Sequence, residues 1–116
     1  MKVAELEKGM LLIPAADNQI FHVADWGSGF GWAAQQREKY GANFISKYLT
    51  VRNKRKTSMD RGQRKNDTAS VAMYLGTKRD LTLHADWVDK FVLIDNQVVG
   101  VDPHAWKLMR PMVEKV

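Results

Sequence analysis

The feature that most constrains this chain is the shortness of its apolar runs. Met10-Leu11-Leu12-Ile13 is entered through Lys8-Gly9 and stopped by Pro14, and Phe91 to Ile94 is separated from Val98 to Val101 by Asp95-Asn96-Gln97. Runs this short, bounded by Gly, Pro, Asn and Asp, suit strands rather than helices. Ile20 to Trp26 alternates, with Phe21 and Val23 on one face and His22 and Ala24 on the other. Phe44 to Arg52 is rich in β-branched and aromatic residues, as strands are. There Leu49 and Val51 share a face with Ile45, while Tyr48 and Thr50 take the other. Ala69 to Leu75 alternates again, Val71, Met73 and Leu75 against Ala72 and Tyr74, and Gly76 ends it. Asp95 and Asn96 tolerate the left-handed backbone of a tight turn, so Phe91 to Val101 is predicted to be a hairpin.

One stretch reads differently. Trp32 to Tyr40 is made of good helix formers and is followed by Gly41, a natural helix stop. A short helix is predicted there, with a strand as the alternative. After Asp102-Pro103, Ala105 to Val113 begins as a helical turn, and Pro111 suits an edge strand. The predicted core is Leu11, Ile13, Phe21, Val23, Leu49, Val51, Val71, Met73, Leu75, Phe91, Leu93 and Val99. In the two continuous apolar runs, either face can point inward.

Composition narrows the class. The chain has 116 residues, 45% apolar and 27% charged, which fits one globular domain over residues 1–116. The absence of Cys excludes disulfides, Cys-ligated metals and thiol catalysis. No apolar run reaches the roughly 20 residues of a membrane-spanning helix, so no membrane partner is expected. Met1 to Lys8 alternates apolar and charged residues, unlike a signal peptide, and a cytoplasmic location is expected.

The net charge of +5 is concentrated in one place. Lys47 to Asp67 holds eight basic and two acidic side chains, so it carries +6 and the rest of the chain −1. Within it, residues 52–68 contain Met59 as the sole large apolar side chain. The segment reads as a long, mobile basic hairpin loop between two strands. Arg52, Lys54, Arg55, Lys56, Arg61, Arg64 and Lys65 are its candidate phosphate contacts, because cations on phosphates release counterions and give affinity without sequence preference. Trp26, Phe30 and Trp32, around the glycine-rich stretch Gly27 to Gly31, and Tyr48 are candidates for stacking or partner contact.

Catalytic and cofactor motifs do not fit. Trp32 stands where a dinucleotide fingerprint needs its third glycine, and no Gly-Lys pair exists for a phosphate loop. Trp26 and Phe30 flank Ser28 where a nucleophile elbow needs glycines. His84 and Asp86 form a His-x-Asp spacing, the basis of a third reading as a metal-dependent enzyme. Neither a metal nor a cofactor is expected, and no nucleophile, base and orienting group come together.

Leu6-Glu7-Lys8-Gly9-Met10-Leu11-Leu12 resembles the opening strand of SH3-like small barrels, and Ala72-Met73-Tyr74-Leu75-Gly76 resembles their central strand. The Phe91 to Val101 hairpin and the ending through Asp102-Pro103 would supply the remaining strands. The arrangement also resembles small proteins of large tailed bacteriophages, which implies a host cytoplasm. The resemblance implies a mainly-β SH3-like barrel of five to six antiparallel strands, with a long basic loop and at most one short helix. Fold does not choose the function of such a barrel. The expected function is a non-catalytic module that binds nucleic acid through the basic loop. The alternative is a protein-interaction or assembly module docking on a host or virion component through Trp26, Phe30 and Trp32.

Overall fold

The computed structural model describes residues 3–25, 31–54, 68–69, 71–85 and 87–112. Alternation and turns build eight strands: β1 (Leu11–Pro14), β2 (Gln19–Asp25), β3 (Lys47–Asn53), β4 (Thr68–Ala69), β5 (Ala72–Thr77), β6 (Lys90–Ile94), β7 (Gln97–Val101) and β8 (Met109–Pro111). They form one sheet in the order β4-β2-β3-β7-β6-β5-β1-β8. The helix α1 (Trp32–Tyr40) forms where the helix formers cluster, and Gly41 closes it at φ 62. A single further helical turn, α2 (Lys78–Leu81), follows β5.

The local turn chemistry is the expected one. Asp95 and Asn96 take φ 49 and 61, and Ile94 faces Gln97, so β6 and β7 close through a two-residue turn with both angles positive. A 3-10 turn at Trp106–Leu108 precedes β8, which lies on the sheet edge, where its Pro111 is tolerated.

The fold departs from the expected barrel in three ways. The described residues form eight strands rather than five or six, and β3 joins β7 in parallel, Tyr48 opposite Gly100 and Leu49 opposite Val101. The outermost strands β4 and β8 are not paired with each other among the described residues, so the sheet is not a closed barrel. Third, β3 and β4 both pair antiparallel with β2 and therefore run the same way on either side of it. The two strands on either side of the basic segment are therefore not the adjacent strands of a hairpin, and residues 55–67 between them lie outside the described residues.

The sheet curls around one core. Leu12 of β1 and Phe21 of β2 stand far apart in strand order yet belong to one buried cluster with Leu49, Tyr74, Val92, Ile94, Val99 and Val101. Ala105, Trp106 and Met109 close it, with Trp106 edge-on to Tyr74 at 6.3 Å.

Phe21, Val23, Leu49, Phe91 and Val99 are buried as predicted, and Val51 packs partly buried against the cluster. On β1 and β5 the phase is the reverse of the prediction. Leu12, Ala72 and Tyr74 point inward, Leu11 and Val71 are exposed, and Ile13, Met73, Leu75 and Leu93 are only partly buried. Both faces of β5 are apolar, so alternation offered little contrast, and a one-residue change of phase exchanges the faces. Tyr74 wins the interior because its large ring fills the space against Trp106.

The other side of the sheet carries a second, smaller packing. Phe91 is fully buried, although it alternates with the core residues Val92 and Ile94 and so points the opposite way. Its register partner Gly100 lies under Val88: a Cβ on Gly100 would collide with Val88 Cγ2. Val88 thus packs on the outer face against β7.

Two stability measurements follow. Leu12→Ala should cost about 2–5 kcal/mol in urea denaturation, while Leu11→Ala stays within about 0.5 kcal/mol. Gly100→Ala should cost about 1–3 kcal/mol by forcing Val88 off the sheet; a neutral result would mean that Val88 does not pack there.

Candidate nucleic-acid interface

Because Leu49 and Val51 point into the core, alternate residues of β3 face outward: Tyr48, Thr50 and Arg52, in line with Ser46 just before the strand. Three contacts are strung along this line. Ser46 is buried, and its Oγ accepts a hydrogen bond from Arg37 Nη2 of α1 at 2.8 Å. Tyr48 meets Trp87 edge-to-face, with ring centroids 5.0 Å apart and planes at 68°. Arg52 Nη1 lies 3.4 Å from His22 Nε2 on β2. From Ser46 to Arg52 the line covers about 20 Å at the strand rise of ~3.3 Å per residue.

The elements around it fix these groups. Ile45 N–H donates to the His84 carbonyl at 2.8 Å, and His84 N–H donates to the Asn43 carbonyl at 2.7 Å. The His84 ring stacks on Tyr40 of α1 at 3.8 Å, and Trp32 of α1 packs edge-on to Phe44 at 5.8 Å. These contacts tie α1 and segment 82–85 to the start of β3. Val88 on Gly100, beside Tyr48 in the β3–β7 register, then places Trp87 against Tyr48.

Charge along the strand is uneven. Lys47 stands opposite Asp25 across the β2–β3 pair, whereas Arg52 stands opposite Ile20 and no acid balances it in register. Lys54, exposed, continues past the strand end, where its N–H donates to the Asn18 carbonyl at 2.7 Å.

Sequence reasoning located part of this line. Tyr48 and Arg52 sit on one face, and Lys54 adjoins it. Trp32 packs on Phe44. Trp26, Phe30, Arg55, Lys56, Arg61, Arg64 and Lys65 lie outside the described residues, as does Asp86. Arg37, Trp87 and His22 were missed as members of this face. Arg37 read as a generic helix former, and Trp87 sits in an irregular segment without periodicity. A small signal existed for His22, which alternates with the core residues Phe21 and Val23 and so had to share a face with Arg52 if β2 paired with β3. Among the described residues, no three His, Asp or Glu side chains gather to hold a metal, and no helix is long and apolar enough to cross a membrane.

Segment 82–89 begins from a capped turn. Thr77 Oγ1 accepts from the Asp80 N–H, and Asp80 Oδ2 accepts from the Thr77 N–H, each at 3.2 Å. The hydrogen bonds from Thr77, and then Lys8 Nζ at 3.7 Å, hold the Asp80 carboxyl below its ordinary titration range. Burial, then the charges of Asp80 and Asp89, push the Tyr74 hydroxyl above its own.

Because the folded Asp80 carboxyl titrates lower than the unfolded one, its contribution to stability is present above the ordinary carboxylate pKa. That contribution is lost as pH falls through the lowered value. An NMR titration should find Asp80 below the ordinary range, and Thr77→Ala, which keeps the backbone donor, should return it only part of the way; an unchanged titration in Thr77→Ala would assign the lowering to the Thr77 backbone N–H rather than its hydroxyl.

Comparison of the chain with protein-family models, with curated proteins and with solved structures gives no match.

Proposed function

We propose that this protein is a non-catalytic nucleic-acid-binding module without strong sequence preference. One observation carries the reading: the outward face of β3, the strand that opens the +6 segment, lines up Arg37, the Tyr48–Trp87 pair and Arg52. Guanidinium groups neutralise phosphates, and aromatic rings between them offer a sequence-tolerant surface for bases. Both ends of the basic segment are fixed beside β2, next to that face.

The finer fold we propose is an SH3-like arrangement of five strands, open rather than closed into a barrel, carrying an insertion. The order β8-β1-β5-β6-β7, with a 3-10 turn entering β8, supports that reading. On this view β2, β3 and β4, with α1, are inserted between the first two of those strands in the chain.

A second reading, a protein-interaction module, is favoured by one observation. Leu11, Met73, Leu93 and Val98 form a continuous cross-strand row on the outer face of β1, β5, β6 and β7, with none of the four fully buried. Leu11 is exposed and the other three half-buried, and contiguous apolar surface left open to solvent marks interaction surfaces.

Titration of the protein with DNA and RNA at several salt concentrations separates the two. If the basic segment makes about five phosphate contacts, log K on duplex DNA should fall with log salt at a slope of about −4 to −5. Changing Arg52, Lys54, Arg55 and Lys56 together to Ala should weaken binding and flatten that slope. No binding at low salt, or binding indifferent to the four substitutions, would sink the nucleic-acid reading and leave the apolar row as the better account.

A further inference from the structure

We infer that the ligand engaged by the β3 face is an unpaired strand, with a base stacked on the Tyr48–Trp87 platform and its phosphates held by the flanking arginines; this rests on the nucleic-acid reading above. Trp87 keeps 36% of its surface exposed while its ring is held edge-to-face on Tyr48. Its position is built in. Val88 is seated on Gly100, and the Lys78 N–H donates to the Asp89 carbonyl at 2.7 Å, so the residues that follow Trp87 are fixed to the sheet and to α2. Little ordering is left to be lost when a base arrives.

Only unpaired bases can use such a platform. In a duplex each base face is covered by its neighbours, and sequence is reached through the grooves by a helix or a two-stranded ribbon. The helix here does not suit that role. α1 has nine residues, and its charged side chains are two bases and an acid, Arg37, Lys39 and Glu38, side by side near its end. The sheet face, by contrast, has an arginine at each end of an aromatic pair, Arg52 on the strand itself and Arg37 reaching Ser46 from α1, an arrangement that follows a backbone while bases stack between.

The test uses the full chain and fluorescence anisotropy with four probes. These are a short oligo-dT, an oligo-U of the same length, a duplex of that length, and an abasic strand with the same number of phosphates. A base-bearing strand should bind about tenfold more tightly than the abasic one. Trp87→Leu should bring base-bearing strands down to the affinity of the abasic strand, and Trp87→Phe should keep most of the margin. Tyr48→Leu, checked for folding by circular dichroism, provides a second route to the same loss. A preference between oligo-U and oligo-dT reports that the sugar hydroxyl or the thymine methyl is read, and the margin in either arm supports the inference. An abasic strand that binds as well as both base-bearing strands, or a Trp87→Leu variant that weakens strand and duplex alike, would overturn it while leaving general nucleic-acid binding intact. Failure of every probe at low salt would remove both.

Discussion

The short parallel ladder between β3 and β7 is the constraint on which the rest of the structure depends. One half of the sheet, β5, β6 and β7 with β1 and β8, is built from antiparallel neighbours. The other half, β2 with β3 and β4, is a separate antiparallel group. They meet where Tyr48 faces Gly100 and Leu49 faces Val101. That register brings Phe21, Val23 and Leu49 into the same core as Val92, Ile94 and Val99. On the opposite side it sets Tyr48 beside the one β7 residue small enough to admit Val88. Core and candidate site are thus two faces of the same join.

What the sequence made legible was local. The turn at Asp95 and Asn96, the helix ending at Gly41 and the edge position of Pro111 all follow from the backbone preferences of those residues. Phase was readable where a strand had one apolar and one polar face, as on β2. It failed on β5, where Val71, Met73 and Leu75 looked a better core set than Ala72 and Tyr74, because residue size and apolarity do not say which side of a doubly apolar strand meets Trp106. The parallel join was not legible at all. No turn chemistry marks a pairing between segments so distant in sequence, and without it a hairpin was the simplest account of the basic segment.

The candidate site shows the same division. Charge density pointed to Arg52 and Lys54, and aromatic character pointed to Tyr48, since both are properties of a residue and its neighbours. Arg37 and Trp87 acquire meaning only through tertiary contacts, one with Ser46 and the other with Tyr48. The +6 segment alone would describe an electrostatic tether. The line of groups on β3 adds a surface of fixed geometry, and fixed geometry is what separates recognition of bases from attraction to phosphate.

The parallel join also bears on how the chain reaches this structure. Tyr48 and Gly100 are about fifty residues apart, whereas β6 and β7 close through two. Loop-closure entropy grows with separation and must be met before a distant contact gives anything back. The β6–β7 hairpin can therefore form from its own turn, while the β2–β3 pair must wait for a long loop to close before Leu49 finds the core. The surface built on β3 is consequently tied to a long-range contact of the folding reaction, and any species in which that contact has not closed lacks both the finished core and the face that carries Tyr48 and Arg52.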